Sequence, residues 1–382
     1  MTLTANNFLH KNGNLNKFYL SVFLMTFGES LINIFVPIYL YFLGFSIFQI
    51  LLFYFLSSVY FVVFSFWGSK ITIKIGEKYA FLLSTPFLIA YYLGLIALKS
   101  YGVLFFVLPL LLSLRMIFFN YAYHLTYINH SQKHRQGREL AFLGILTLLA
   151  TSAAPYLGSI IATFNFSVLF ILSAVLMFVG AVPLLFIKEK RLQIDFSLKS
   201  LLKKFIDAKE LGNLISFSGY AIESLIGRAI WPIFLIMVIG TLNKTGLIIS
   251  LSMLISLLAY HFIGKLTDKI DKIKLLKIGT ILHALAWLGR IFVNAPYQIL
   301  AVDSYKKLSE KVLQLPWEAH SYDLARRENR FEFIVYREIV FNLIRIMVLP
   351  VLMVVFAVNF YPFTVSFAVA GIFSLGYWFI KK

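Results

Sequence analysis

Three ionisable residues of this 382-residue chain lie deep within long apolar stretches. Glu29 lies about 12 residues into its stretch, which is roughly 18 Å along a helix. Glu223 and Arg115 lie similarly deep in two other stretches. An ionised group in the middle of a membrane span costs about 2.5–3.5 kcal/mol on insertion scales, and such residues commonly mark the path of protons, ions or charged solutes.

An acid and a base inside a membrane can form either a proton carrier or a fixed pair. Burial favours the protonated form of a carboxylate, whereas a nearby arginine favours the ionised form. If the distance between Glu29 and Arg115 changes between two conformations, Glu29 takes up and releases a proton. The alternative is a static structural pair. Glu29 and Arg115 would form one such pair, and Glu223 and Arg228 would form another.

A stripe of polar residues interrupts the apolar stretch at 298–322. On a helical wheel these seven residues occupy an arc of about 140°: Asp303, Lys306, Lys307, Glu310, Lys311, Gln314 and Glu318. Asp303 with Lys307, and Lys306 with Glu310, are four residues apart and can form ion pairs along the helix. The charges could therefore only neutralise one another, but so wide a stripe favours a water-lined path for a substrate.

Further charges lie towards the ends of other apolar stretches. Arg290 is expected to extend its head group to the membrane surface. Glu338, Asn342 and Arg345 share one helix face, which suggests a gate pair between Glu338 and Arg345. His283 lies in an apolar stretch, where a packed histidine is the simpler interpretation.

The composition requires a membrane to surround these groups. Hydrophobic residues make up 60% of the chain and charged residues 14%, with a mean hydropathy of +0.83, whereas globular chains have about 45–50% apolar and about 25% charged residues. The absence of cysteine excludes a disulfide scaffold. A net charge of +18 raises the possibility of nucleic-acid binding, but that needs a basic face on a soluble fold. We expect a polytopic, all-α membrane protein.

Twelve apolar runs are long enough to be transmembrane helices. They are roughly 18–43, 46–68, 79–98, 103–124, 139–163, 166–187, 212–240, 245–264, 275–294, 298–322, 333–358 and 361–380. The N-terminus, the even-numbered loops and the C-terminal tail carry 26 of the 35 Lys and Arg, and the odd-numbered loops carry two. Basic residues stay on the cytoplasmic side of a membrane, so this bias predicts that both termini are cytoplasmic. The expected location of the protein is the cytoplasmic membrane.

The longest loop divides the chain into a first half at 1–187, a linker at 188–210 and a second half at 211–382. Within the linker, Leu198, Leu201, Leu202, Phe205 and Ile206 share one helical face. Such an amphipathic helix is expected to lie on the inner leaflet and to tether the halves. A regulatory partner site is the alternative.

The two halves repeat one another at an offset of about 195 residues. Glu29-Ser30-Leu31-Ile32 matches Glu223-Ser224-Leu225-Ile226, and each tetrad is followed by a proline, Pro37 or Pro232. Trp67-Gly68 matches Ile263-Gly264, and His124 matches His320. The sequence therefore predicts two pseudo-symmetric bundles of six helices.

This arrangement resembles the major facilitator superfamily. The family's loop signature, Gly-x-x-x-Asp-Arg/Lys-x-Gly-Arg/Lys, is similar to Gly264–Lys272, in which Asp271 replaces the second glycine. The first-half copy at 69–78 keeps Lys74, Gly76 and Lys78 but has Ile73 in place of the acid. The resemblance implies gating roles for Gly264, Asp268 and Lys269, and a central cavity lined by spans one, four, seven and ten.

Two further motifs bear on coupling. Leu111 to Arg115 resembles the family's fourth-span Leu-x-x-x-Arg motif, which is associated with proton coupling beside a first-span acid such as Glu29. Ala153 to Ser159 is similar to the signature of the family's antiporters, and it implies gating roles for Pro155 and Gly158. Ordinary packing of small residues is the alternative for this segment.

The resemblance implies a secondary transporter that works by alternating access and exports an amphipathic compound in exchange for protons. Glu29 would carry the proton and Arg115 would modulate it. The gate would include Glu338 and Arg345. Substrate or ion contacts are assigned to Asn33, Glu223, Arg228, Asp303, Lys307, Glu310, Lys311 and Gln314. The expected partners are a small-molecule substrate, protons and membrane lipid, without nucleic acid, and the expected state is a monomer.

Two other functions stay open. A proton-coupled importer of a polar or anionic metabolite would bind its substrate with Lys306, Lys307, Lys311 and Arg228. A polytopic membrane enzyme or lipid scramblase would need a reactive cluster in a loop, and the loops are short. No metal-ligand cluster, Gly-x-Ser-x-Gly motif or phosphate-binding loop occurs in the sequence, so we expect no cofactor, no metal and no enzymatic activity.

Overall fold

The computed structural model describes residues 13–130, 136–187, 197–267, 271–327 and 329–381, and within these ranges the regular structure is helical. The first half contains α1 (Gly13–Ile32), α2 (Phe35–Phe42), α3 (Ile47–Ile75), α4 (Glu77–Ala97), α5 (Leu104–His130), α6 (Gln136–Phe164) and α7 (Phe166–Leu185). The linker contains α8 (Leu198–Ile206). The second half contains α9 (Leu211–Ala229), α10 (Trp231–Ile239), α11 (Leu242–Thr267), α12 (Lys272–Gly289), α13 (Pro296–Arg327), α14 (Arg330–Ala357) and α15 (Pro362–Ser374).

Ten helical segments in the described ranges are long and apolar enough to cross a membrane, counting α1 with α2 and α9 with α10 as one segment each. Two predicted spans are not among these ten. The apolar helix found within α11 is Leu242–Leu257, and α13 carries the polar stripe. A multi-pass helical membrane protein is therefore confirmed, while twelve crossings and the two six-helix bundles stay predictions.

The first span of each predicted half is broken in its middle, next to a proline. The chain turns at Asn33 and Ile34 between α1 and α2, and at Ile230 between α9 and α10. Proline lacks an N–H donor, and its ring clashes with the carbonyl four residues earlier. Pro37 and Pro232 act in this way at matching places, so the repeat in the sequence is also a repeat of helix breaks.

The two copies of the loop signature turn the chain differently. Gly76 joins α3 to α4 with a φ of 88°, a conformation that favours glycine. In the second copy, Asp271 has a φ of −53°, and its carboxylate accepts hydrogen bonds from the backbone N–H groups of Ile273 and Lys274 at 3.0 Å. Aspartate at this position is therefore the N-cap of α12.

Helices of the two predicted halves contact each other chiefly through α6 with α11 and α3 with α14. Small residues allow the close approach of α6. A Cβ atom at Gly158 would collide with the backbone of Leu31, and one at Gly246 would lie 2.6 Å from the carbonyl oxygen of Pro155. Packing thus accounts for the small residues around Pro155, and a gating role for them stays a prediction.

The helix α8 packs on the start of α14. Leu201 is buried and the ring of Phe205 lies 5.0 Å from that of Tyr336, whereas Leu202 and Ile206 of the same apolar face are exposed. The amphipathic helix expected in the linker is therefore present, and its predicted contact with the inner leaflet is untested.

We call the end of the molecule where α1 begins and where the described chain ends the terminal face. There Lys17 Nζ donates to the carbonyl of Phe186 at 2.8 Å, which joins the start of α1 to the end of α7. The backbone N–H of Lys381 donates to Asn213 Oδ1 at 3.2 Å, near the start of α9. The sequence predicts that this face is cytoplasmic.

Candidate functional site

Two adjoining cavities lie in the interior of the molecule. One has a volume of about 200 Å³ and the other about 330 Å³, and Asn33, Tyr220 and Arg228 line both. Their walls come from α1, α5, α9 and α13, the helices expected to line a central cavity, and also from α2, α3, α4, α6, α10, α11 and α14. Asn33 lies at the break between α1 and α2, and Arg228 lies one turn before Pro232.

The first of the expected pairs is present in the smaller cavity. Arg115 Nη2 forms an ion pair with Glu29 Oε1, and the guanidinium also stacks on Phe119, with 4.0 Å to the ring centroid. The Glu29 side chain keeps 25% of its surface exposed, so the carboxylate is open to the cavity. An acid that reaches water and has one cationic partner can exchange a proton without disturbing a larger network.

Glu223, the counterpart of Glu29 in the second half, has a different environment. Its side chain is only 4% exposed and receives hydrogen bonds from Trp287 Nε1 at 3.1 Å and the Tyr377 hydroxyl at 3.2 Å. His283 Nε2 lies 3.4 Å and Lys306 Nζ 3.9 Å from the same carboxylate oxygen. The expected static pair with Arg228 is wrong, because Arg228 is five residues further along the helix and faces the cavity.

The polar stripe of α13 pairs only partly as expected. Lys306 Nζ donates to Glu310 Oε2 at 2.8 Å, which confirms that pair, and Lys307 Nζ lies 3.8 Å from the same oxygen. Asp303 does not pair with Lys307. Its Oδ1 accepts a hydrogen bond of 2.7 Å from Arg290 Nη2 of the neighbouring helix turn.

Arg290 does not extend to the membrane surface as expected. It is 1% exposed, and its guanidinium stacks on Trp231 and Trp287 at 3.7 and 4.2 Å from the ring centroids. Two aromatic faces and one carboxylate compensate a guanidinium better than partial exposure at the surface. His283 is buried as expected, and its ring also joins the polar network through Ser309 Oγ at 3.3 Å.

A cross-half polar cluster closes the cavity towards the terminal face. Asn120 Nδ2 donates to Glu338 Oε2 at 2.8 Å, and Arg337 Nη2 donates to Glu338 Oε1 at 3.0 Å. His124 Nδ1 lies 2.8 Å from the Tyr322 hydroxyl, and His124 Nε2 lies 2.7 Å from Arg337 Nη2. We name these five residues the terminal-face gate.

The gate fixes the protonation of its histidine. Because a guanidinium only donates, His124 Nε2 must accept from Arg337, and the ring is neutral with its proton on Nδ1. Glu338 is part of the gate, but its expected pair with Arg345 is wrong. Arg345 instead donates to the Ala221 carbonyl at 3.4 Å and to Ser224 Oγ at 3.1 Å, both on α9.

The positions of the other predicted site residues say less about their roles. Gln314 and Pro155 line the larger cavity, whereas Lys311 is not among the described residues that line either one. Gly264 lies in α11. Asp268 and Lys269 lie outside the described residues, so their gating roles stay predictions.

Sequence reasoning missed two groups. Aromatic residues line the smaller cavity, namely Tyr54, Tyr91, Tyr92, Tyr220 and Trp317. In a chain with 21 Tyr and 40 Phe, no sequence signal separates these from packed rings. The gate residues Asn120, His124 and Arg337 were also missed, although the match of His124 with His320 marked the place.

No protein-family model and no curated protein matches the sequence. The structure is similar to the crystal structure of the human organic anion transporter MFSD10 (TETRAN), with a TM-score of 0.68 over 97% of this chain and 99% of that one. The two sequences are 10% identical, so the likeness concerns the fold. The chain therefore shares the fold of that solved structure over nearly its whole length, and membership of the major facilitator superfamily stays a prediction from the repeat and the motifs.

Proposed function

We propose that this protein is a secondary active transporter, which moves a small organic solute across the cytoplasmic membrane by alternating access and uses protons as the coupling ion. The observation that carries the proposal is the ion pair of Glu29 and Arg115 in the central cavity. The fold supports it, since the structural neighbour is described as a transporter.

The pair can couple proton binding to a change of conformation. When Glu29 is ionised, it balances the charge of Arg115; when Glu29 is protonated, Arg115 loses its carboxylate and favours an arrangement that offers another. A ligand shifts a conformational equilibrium only through such a difference in affinity for the two states. The break after Glu29 lets α2 change its angle to α1, as discontinuous helices do in transporters.

Alternating access needs contacts that open and close. The terminal-face gate joins α5 of the first half to α14 of the second through Asn120 and Glu338, and its opening would admit solute from that side. We assign Pro155 and Gly158 to the surface on which α6 moves against α11 and α1. The basic loops support a cytoplasmic position of the terminal face.

Export of an amphipathic compound in exchange for protons is the form of transport that we propose. The smaller cavity combines charged side chains with aromatic ones, including Tyr91, Tyr92 and Trp317, and can therefore bind both ends of such a molecule. Ligand sites generally combine an apolar lining with a few placed polar groups.

A second candidate is proton-coupled import of a polar or anionic metabolite. Arg228 favours it, because this cavity-lining arginine has no carboxylate within 4 Å among the described residues. The neighbour in structure is described as an organic anion transporter. Lys306 and Lys307 contribute less than the sequence suggested, since both face Glu310.

Flux measurements in proteoliposomes test the coupling. A thermal-shift screen first finds a compound that stabilises the purified protein, and the labelled compound is then followed under a pH gradient imposed in either direction. For one proton per solute, a gradient of one pH unit supports about tenfold accumulation. The direction of proton movement relative to the solute separates antiport from symport.

The variant Glu29→Gln is expected to abolish acceleration by the pH gradient while exchange of labelled for unlabelled solute continues. Glu77→Gln is the matched control, because Glu77 is also a glutamate of the first half but lies in the first turn of α4 and outside both cavities. Gradient-driven transport at full rate in Glu29→Gln would refute Glu29 as the proton carrier.

A further inference from the structure

The charges that line the interior cavities do not balance in pairs. Seven basic residues line them, namely Arg115, Arg228, Arg290, Lys306, Lys307, Arg337 and Arg345. Six acidic residues line them, namely Glu29, Glu223, Asp303, Glu310, Glu318 and Glu338. Within the described part of the chain, ion pairs involve five of the basic and five of the acidic residues. Arg228, Arg345 and Glu318 are left without an oppositely charged partner within 4 Å.

Arg228 and Arg345 face a common space. Both line the smaller main cavity, and both also line a side cavity of about 20 Å³ between α3, α9 and α14. The other polar walls of this side cavity are neutral, with the hydroxyls of Tyr54 and Ser58 and the amide of Asn342. Two guanidinium groups thus point to one polar space that contains no carboxylate from the described residues.

The hydrogen bonds of Arg345 do not neutralise its charge. They go to the Ala221 carbonyl, Ser224 Oγ and Asn342 Oδ1, which are all uncharged acceptors. These bonds fix the direction of the guanidinium. Arg228 is exposed and lines the cavities. One guanidinium is therefore held by neutral acceptors, and the other faces the cavity.

An uncompensated cation in the interior of a membrane protein is costly, and such groups pair or face an ion path. Two arginines side by side raise this cost by their mutual repulsion. An anion between them removes both penalties, and arginine is the side chain best suited to bind carboxylate or phosphate oxygens in pairs.

We infer that the solute is an organic monoanion whose anionic head binds between Arg228 and Arg345, and this inference rests on the proposed transport function. The side cavity is large enough for one oxygen atom of the head group. Tyr91, Tyr92 and Trp317 of the adjoining cavity contact the organic body. Because seven basic and six acidic side chains line the cavities, one negative charge, rather than two, balances them.

A set of naphthalene compounds with different charged groups tests the inference. The probes are 2-naphthoate, its neutral amide, 2-naphthylmethylamine, 2,6-naphthalenedicarboxylate and 2-naphthalenesulfonate. Binding to the purified full chain is measured by titration and by the shift of the unfolding temperature. We expect the monocarboxylate to bind at least tenfold more tightly than the amide, the amine and the dicarboxylate. The sulfonate, which is also a monoanion, distinguishes a carboxylate site from a general oxyanion site.

The variants Arg228→Gln and Arg345→Gln are each expected to weaken naphthoate binding about 10- to 100-fold, because each removes a hydrogen bond between charged groups. Arg228→Lys keeps the charge and should recover part of the affinity. Arg330→Gln is the control, since it removes a positive charge at an exposed helix start. If Arg345→Gln unfolds because it loses its bonds to α9, Arg228→Gln and Arg228→Lys decide the question.

Two results would overturn the inference. One is equal binding of the amine, the amide and the carboxylate, and the other is unchanged naphthoate binding in Arg228→Gln. Transport of a neutral or cationic solute that survives Arg228→Gln would reject the anion site and keep the transport function. Tight naphthoate binding without flux in proteoliposomes would keep the site and reject transport.

Discussion

Glu29 and Glu223 stand in the same four-residue sequence, one in each half, and yet their surroundings differ. Glu29 faces the cavity, is 25% exposed and pairs with one arginine. Glu223 is 4% exposed and contacts Trp287, Tyr377 and His283. The repeat therefore preserves the depth of the acid and the helix break after it, but not the partners. We infer that one copy can change its protonation state while the other holds helices together.

The neighbouring helices differ in the same direction. Arg290 and Asp303 form a buried ion pair between the end of α12 and the start of α13. At an offset of 196, the first half has Gly94 and Val107, and a Cβ atom at Gly94 would collide with Leu108. Close apolar packing in the first half thus corresponds to a charged contact in the second. In the second half a buried ion pair joins these two helices. In the first half apolar packing joins the corresponding helices, and Glu29 stays accessible from the cavity.

The largest effect is expected from breaking the Arg290 pair. Asp303→Asn leaves a buried guanidinium without its carboxylate and should lower the free energy of unfolding by about 3–5 kcal/mol. The double variant Arg290→Met with Asp303→Leu should recover most of this loss, since apolar side chains of similar size commonly replace a buried pair. The measurement is thermal unfolding in detergent.

Asp323→Asn is the control on the same helix, because Asp323 forms no ion pair with the described residues. A wild-type unfolding temperature in Asp303→Asn would show that the two tryptophan faces alone stabilise Arg290.

An intermediate effect is expected from the two repeated acids. Glu223→Gln weakens a carboxylate that accepts two buried hydrogen bonds and should cost about 1.5–3 kcal/mol of unfolding free energy. Glu29→Gln should cost less than Glu223→Gln, because Arg115 keeps its stacking on Phe119 and the Glu29 side chain is already one quarter exposed. Equal losses in the two variants would contradict the difference in roles, and so would a larger loss in Glu29→Gln.

The smallest effect concerns the repeated histidines. His124 accepts a hydrogen bond from Arg337 across the halves, whereas His320 Nε2 lies 2.6 Å from the Lys381 carbonyl of its own half. His124→Leu removes the acceptor for Arg337, so this bond between the halves is lost, and Arg337 keeps its pair with Glu338 Oε1 on its own helix. We therefore expect the terminal-face gate to open more often in His124→Leu, and no change in His320→Leu.

A single-cysteine reporter measures this opening, because the chain has no cysteine of its own. Alkylation of Ala325→Cys, a buried position one turn past Tyr322, should be a few-fold faster in His124→Leu than in the otherwise unchanged chain, measured at one fixed pH so that the thiolate fraction is constant. His320→Leu is the control and should leave the rate unchanged. An unchanged rate in His124→Leu would show that the bond to Arg337 does not hold the gate closed.

Much of the architecture could be predicted from local sequence. Long apolar runs specify helices that cross a membrane, because each backbone polar group must be satisfied within the segment. Pro37 and Pro232 specify the helix breaks through the same local chemistry. The placement of Glu29, Arg115 and Arg228 on cavity walls also agrees with the spans expected to line it.

The pairing of charges could not be predicted in the same way. Residues four apart on α13 suggested that Asp303 binds Lys307, but Asp303 binds Arg290 on another helix. A helical wheel gives the relative directions of side chains on one helix and says nothing about its rotation against its neighbours. The same limit explains why two ion pairs suggested by the sequence, Glu223 with Arg228 and Glu338 with Arg345, are not formed.

The sequence by itself determined an all-helical membrane protein, an internal repeat and a small set of charges at membrane depth, because hydropathy, helix period and proline chemistry act locally. Only the tertiary structure decided which of those charges neutralise one another. Partner choice depends on distances of a few ångströms between helices far apart in sequence. Those distances leave Arg228 and Arg345 without a carboxylate partner among the described residues, and this predicts the charge of the solute.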